Sequence, residues 1–269
     1  QGQLGDGTRT SRQAPIQVPG LTGVTALAAS INHSLALRTD GTVWAWGFND
    51  AGQLGDGTNT NRPVPGPVPG LTDVVAVAAG ISYSLALEAD GTVWAWGSNS
   101  QGQLGEGTRT SRRSPHPVSA LTGVTALAAG NNFSLALKAD GTVWAWGGNG
   151  AGQLGDGTTT SRLTPVPVPG LTGVRALSAK GSHPVALKLD GTVWSWGSNA
   201  QGQLGDGTFT SRSSPAQVQG LTDVVAVVAG ATHTLAVVAD GSLEAWGDNY
   251  EGQLGNGTSA YRLSPSQVW

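Results

Sequence analysis

A fifty-residue period governs this chain. The heptapeptide "GTVWAWG" stands at Gly41–Gly47, returns at Gly91–Gly97 and Gly141–Gly147, becomes "GTVWSWG" at Gly191–Gly197 and ends as "GSLEAWG" at Gly241–Gly247. No residue is inserted or lost between copies. Five units, 20–69, 70–119, 120–169, 170–219 and 220–269, account for everything after residue 19. Residues 1–19 match the tail of a unit, as the segment 251–269 shows. The chain is therefore one domain, 1–269, of five full units and an N-terminal partial unit. Repetition at this length means one supersecondary unit stacked on copies of itself.

Each unit reads as β structure. Val24–Ala29 is a small apolar run, and Ser34–Leu37 follows after a polar break. Asp40-Gly41 is a two-residue turn of the kind that tolerates positive φ. Thr42–Trp46 is the next strand, a Gly-rich loop covers Gly47–Thr58, and "PGPV" (Pro65–Val68) is a fourth extended segment. Prolines there confine it to a sheet edge. Four short strands per ~50 residues, repeated, describe one blade of a β-propeller. The fold class is all-β, a propeller of four-stranded blades, either a closed ring or an arc of a larger one. One expectation is that the spare edge segment Pro15–Val18 clasps the last blade. Unclosed edges would instead offer a surface for self-association.

Alternation along a strand sets the packing. Trp44 and Trp46 are two apart and share a face, while Val43 and Ala45 share the other. A bulky face must meet a face of small residues on the next blade. Trp44, Trp46, Trp94, Trp96, Trp144, Trp146, Trp194, Trp196 and Trp246 are thus structural, filling the junctions between blades. Glu244 replaces the first Trp of the fifth pair. A lone carboxylate is rarely buried unpaired, so Glu244 is expected to face solvent and to mark an atypical terminal blade.

Composition narrows the function classes. Charged residues make up 12%, the net charge is −3, and Lys and Arg are scattered. No basic block is present to neutralise a phosphate backbone, which argues against nucleic acid as a partner. No run approaches the ~20 apolar residues of a membrane helix. Cys is absent, which excludes disulfides and thiolate metal sites. Met is absent too, even at position 1, so the chain reads as a processed product or a segment of something longer. A secreted or cell-surface location is favoured.

At "WGFNDAGQLGDGT" (Trp46–Thr58) and across "VAAGISYSLALEADGTVWAWGSNSQGQLGEGT" (Val77–Thr108), the chain resembles the regulator-of-chromosome-condensation repeat family, in its bacterial type. The resemblance covers the whole chain. It implies a propeller with four antiparallel strands per unit, and rings of this family typically hold seven blades. Members differ in their roles. A nucleotide-exchange and chromatin-binding role implies a basic surface, which a net charge of −3 does not favour. The Trp-containing "GWRHT" stretch of a photoreceptor member is "SINHS" (Ser30–Ser34) and "GISYS" (Gly80–Ser84) here. A secreted propeller of this type that inhibits an enzyme implies that extracellular members bind proteins.

Two motifs invite chemistry and read better as scaffolding. Asp6, Asp56, Glu106, Asp156, Asp206 and Asn256 occupy one position, each followed six residues later by an Arg. One carboxylate per loop cannot supply the six to eight oxygens that calcium takes. Arg62, Arg112, Arg162 and Arg212 are therefore structural, tying each long loop to its acid. His33, Tyr83, Phe133, His183 and His233 share another position. Two of these five cannot ligate a metal, and a half-buried ring bonded to a neighbouring loop accounts for the set. No cofactor and no metal site are expected, and no "GxSxG" or phosphate loop marks an enzyme.

Positions that vary within a fixed repeat are free of scaffold demands. They cluster at 31–33 and 48–51 and their equivalents. Phe48, Asp50, Tyr83, Phe209, Asp248, Tyr250 and Tyr261 are the candidate partner-binding residues, because exposed aromatics recur at interface hot spots. The sequence reads as a non-enzymatic scaffold that binds another protein through variable rim loops. The alternatives are a purely structural, built or truncated propeller without a ligand, and an enzyme acting in the central channel.

Overall fold

The structure is a computed structural model that describes residues 1–118 and 121–268. It consists of five antiparallel sheets, each with four strands in sequential order. In unit 1 these are the inner strand Val24–Ala29, the second strand His33–Arg38, the third strand Val43–Gly47 and the outer strand Arg62–Pro67. The other units repeat this plan 50 residues apart, except that the inner strand of unit 4 runs one residue further, Val174–Lys180. The outer strand starts earlier than its prolines suggest, because Arg62 pairs with Gly47. Its three prolines and glycine hold an edge position, as the missing N–H groups require.

The junctions follow the alternation. Leu35, Leu37, Val43 and Ala45 of unit 1 form a buried cluster with Ala79, Ala86 and Trp96 of unit 2, and Trp94 packs at its margin. The same set recurs between units 2 and 3, 3 and 4, and 4 and 5. Within each pair, the second Trp is sealed and the first is half-buried. Trp96 Nε1 donates to the Gln53 carbonyl of the preceding unit at 2.9 Å. The Gln103 and Gln153 carbonyls take Trp146 and Trp196 in the same way. Gly55 permits this approach: its φ is +70°, and a Cβ there would stand 2.8 Å from Trp96 Nε1.

In units 1, 3 and 4 the half-buried Trp carries a cation on its face, while in unit 2 Glu88 stands at the cation position beside Trp94. Arg38 lies over Trp44, Lys138 over Trp144 and Lys188 over Trp194, with centroid distances of 5.2–5.6 Å. In unit 5 the cation position is Val238 and the ring position is Glu244, so neither half of the pair is present. Glu244 is half-buried rather than solvent-facing. It lies on the side turned to unit 4, not on an open face. Desolvation, with Asp240 nearby, raises its carboxyl above the usual range.

The arc has two unpartnered faces. Val24 and Leu27 of unit 1 are exposed, Leu27 at 69%, whereas their counterparts Val74 and Val77 are buried and half-buried. At the other end, Val228 is 50% exposed, and Leu235, Val237 and Leu243 are only partly covered, although Leu85, Leu87 and Val93 at those positions are sealed. The expected clasp does not form: Pro15–Val18 lies in no strand. The N-terminal segment plays a different part. Gln3 O accepts from Trp46 Nε1 at 2.9 Å, and Gly7 N donates to Pro63 O at 2.9 Å. It stands in for the loop of a preceding unit and seals the first Trp pair.

Candidate functional site

The strand directions bring both variable clusters to one end of the molecule. The inner strand runs up to residues 30–32, the second strand runs down to the Asp40-Gly41 turn, and the third returns to the loop 48–61. Backbone bonds tie the two clusters together within each unit. Phe48 N donates to Asn32 O, Ser98 N to Ser82 O and Gly148 N to Asn132 O, all at 2.8 Å, and Ser198 and Asp248 repeat the bond. The opposite end holds the "DG" turns, which do not vary, and the short links between units. One rim is thus variable and the other constant.

Each long rim loop is built around an Asn that the sequence reading passed over. Asn49 Oδ1 accepts from Leu54 N at 2.9 Å, while Asn49 Nδ2 reaches Asp56, Thr58 and Thr60. Asn99, Asn149, Asn199 and Asn249 do the same. Its invariance among five otherwise diverging loops was the available signal. The acid then caps its own turn, as Asp156 does with Thr158, and pairs with the Arg. The N–O separations are 2.8 Å for Arg12–Asp6, 3.5 Å for Arg62–Asp56, 2.9 Å for Arg112–Glu106, 2.7 Å for Arg162–Asp156 and 2.6 Å for Arg212–Asp206. Threonine hydrogen bonds and the Arg hold Asp6 down at about 2. Arg62 also bonds the Ala45 and Gly66 carbonyls. These hydrogen bonds and ion pairs fix the rim loops.

The shared ring position lies in the interior. Tyr83 is fully buried and so does not belong to a binding surface. Its hydroxyl donates to the Phe133 carbonyl, and Ser134 Oγ lies 3.2 Å away. The rings in fact link units. His33 Nε2 meets Ser84 Oγ at 3.0 Å, and His183 Nε2 meets Thr234 Oγ1 at 3.1 Å. Each hydroxyl already donates to a Gln carbonyl, Ser84 to Gln53 and Thr234 to Gln203. The imidazoles must therefore donate from Nε2, which leaves Nδ1 bare and without a partner in both rings. Burial, reinforced by Lys180 at His33 and by His233 at His183, lowers both to about 4. They are neutral at pH 7. Where the ring is Phe133, the facing residue is Pro184, so the polar atom and its partner disappear together. Among the described residues there is no cluster of three metal-ligating side chains, and no helix is long and apolar enough to cross a membrane.

The remaining candidates divide into two groups. Phe48 and Asp50 lie on the rim of unit 1, the first half-buried and the second exposed. Phe209, Tyr250 and Tyr261 lie on the rim of units 4 and 5, exposed at 53%, 74% and 43%. Phe209 and Tyr261 meet edge to face across that junction, with centroids 6.3 Å apart. Asp248 is committed to the loop, accepting from Thr232 Oγ1 and Tyr250 N.

Known structures share this frame. Human WBSCR16 superposes with a TM-score of 0.82 at 28% identity, over 95% of this chain and 69% of that one. Prp20p from Saccharomyces cerevisiae, described together with its binding to Gsp1p and histones, superposes with a TM-score of 0.78 at 27% identity, over 91% and 63%. The chain thus spans about two thirds of the length of either. No curated protein sequence matches it. Repeat, blade topology and junction chemistry agree with the match to the family over residues 1–269: the chain belongs to the RCC1-like domain family.

Proposed function

We propose that this propeller binds a protein partner through its variable rim, with Phe209, Tyr250 and Tyr261 at the centre of the contact. The observation that carries the reading is the segregation of variable positions to one rim, where three large aromatic side chains stand exposed on units 4 and 5. Exposed aromatics are costly to keep in water and are the residue type that dominates interface energetics. The edge-to-face pair restrains Phe209 and Tyr261 before binding, which lowers the ordering cost of association.

Gsp1p and histones, to which the similar Prp20p binds, are the probes. In calorimetric titrations, the Phe209→Ala/Tyr261→Ala variant weakens whichever of them binds by more than about tenfold, as loss of a hot spot does. Asp90→Ala, on the constant rim, leaves affinity unchanged. Equal affinity for parent and rim variant sinks the proposal, as does binding of neither probe. A second reading, self-association, rests on the exposed Val24, Leu27 and Val228. A sedimentation coefficient that does not change with protein concentration removes it.

A further inference from the structure

Ser30, Gly80, Gly130, Lys180 and Gly230 occupy equivalent positions at the upper end of the inner strands. Four are small. At Gly80 and Gly130 a Cβ would run into the ring of Tyr83 or Phe133. Unit 4 departs from this rule. Its inner strand is longer by one residue, and Lys180 pairs with His183. Gly181, at φ +55°, then turns the chain, and its carbonyl accepts from Asn131 N at 2.9 Å. The backbone beneath Lys180 is therefore held from two sides.

The side chain reaches across the axis. Lys180 Nζ donates to Ala29 O of unit 1 at 3.1 Å. The Lys180 side chain is among the residues lining a largely apolar cavity of about 70 Å³ to which all five units contribute, with Ile31, Ile81, Asn131 and Ala231 among the others. At about 30 Å³ per water, this holds two waters or one carboxylate. The cavity opens on the variable rim.

The charge at this point is uncompensated. Lys138 and Lys188 rest on Trp rings. Lys180 has neither a ring nor, among the described residues, a carboxylate within ion-pair distance. His33, the titratable group that feels its charge, is neutral at pH 7. An ammonium carries three N–H donors, and Ala29 O takes one. Burial lowers the Lys180 ammonium below its usual range, which is the response of a cation lacking a counter-charge.

We infer that the axial cavity is a carboxylate site: an Asp or Glu side chain of a bound polypeptide enters between Ile31 and Ile81 and pairs with Lys180. The acidic side chain supplies the missing charge and accepts the free N–H donors. The apolar walls exclude water and so strengthen the pairing. The inference deepens the rim-binding proposal by naming the chemistry at its centre, but it has its own readout.

Lys138, Lys180 and Lys188 are the three lysines, so a protein labelled at lysine Cε gives three resolvable signals. The probes are the capped peptides acetyl-Gly-Glu-Gly-amide and acetyl-Gly-Gln-Gly-amide. With the Glu peptide, the Lys180 signal should shift saturably and its titration should move to higher pH, while Lys138 and Lys188 stay fixed. The Gln peptide should bind at least about tenfold more weakly, because it lacks the charge-assisted bond. Lys180→Met should abolish the shift. The unmodified protein decides the matter even if that variant does not fold. Equal response to both peptides, no saturable response, or parallel movement of all three lysines overturns the inference. Phe209→Ala/Tyr261→Ala should keep the Lys180 shift, so failure of the aromatic contact and failure of this site are told apart.

Discussion

Acidification should unfold this protein through two histidines that never touch solvent. His33 and His183 are buried and neutral, with pKa values near 4 against 6.5 in the unfolded chain. Between those values the unfolded state binds protons that the folded state refuses. Their contribution is therefore fully present above pH 6.5 and is lost as pH falls toward 4. Linkage makes the loss between pH 7 and pH 5 about 2 kcal/mol per ring, or about 4 for the pair. That is a large share of a typical folding free energy of 5–15 kcal/mol.

The perturbation is His33→Phe/His183→Phe, for which Phe133 is an internal precedent, fully buried at the same position. Ser84 and Thr234 keep their bonds to Gln53 and Gln203, so the cost at pH 7 is about 1 kcal/mol per site. Urea unfolding at pH 7 and pH 5 measures both proteins. The parent should lose about 4 kcal/mol more than the variant across this interval. The depressed aspartates titrate below the window and are common to both. Equal losses refute the reasoning, as does an imidazole titration of His33 or His183 near 6.5.

Other perturbations test the scaffold. In unit 3, Gly155→Ala forces a Cβ to 2.8 Å from Trp196 Nε1 of unit 4 at φ +69°. It should cost about 3 kcal/mol or more, against about 1–2 for Gly207→Ala, where only the backbone conformation is at stake; thermal unfolding compares them. A double-mutant cycle on Asp156 and Arg162, whose Arg is 37% exposed, should yield a coupling of about 0.5–1 kcal/mol. The same cycle on Asn256 and Arg262 should yield none. Leu87→Ala, at a sealed junction, should cost about 2–5 kcal/mol, while Leu27→Ala on the open face should cost under about 0.5. A large penalty at Leu27 in chemical denaturation means that its face is covered in solution.

The period, the blade and the Trp-against-small junction were legible in the sequence because each repeats and each obeys a simple alternation. So was the loop ion pair, since an acid and an Arg keep one spacing in five of the six copies. Tyr83 misled because it varies between units, as surface residues do. Its variation has another origin, a partner 51 residues away that changes with it. Such pairing across units is invisible to a reading that compares equivalent positions one column at a time. Glu244 misled because its strand position faces unit 4, where desolvation raises its carboxyl instead of solvent covering it. The clasp failed because Pro15–Val18 meets no complementary edge, and only three-dimensional closure reveals that.

The ring-to-hydroxyl links have an evolutionary consequence. A unit carries two unlike halves of a lock, an aromatic residue that addresses the following unit and a small residue that receives the preceding one. In unit 4 they are His183 and Pro184. Tandem duplication of unit 4 alone would set an imidazole donor against a pyrrolidine, stranding a buried N–H at a cost of about 1–3 kcal/mol. Duplicating units 3 and 4 together would place His183 before Asn132-Phe133-Ser134, where a hydroxyl is waiting. Gene copying by pairs is therefore tolerated where copying of this single unit is penalised, and the order of the blades is protected by chemistry at their seams.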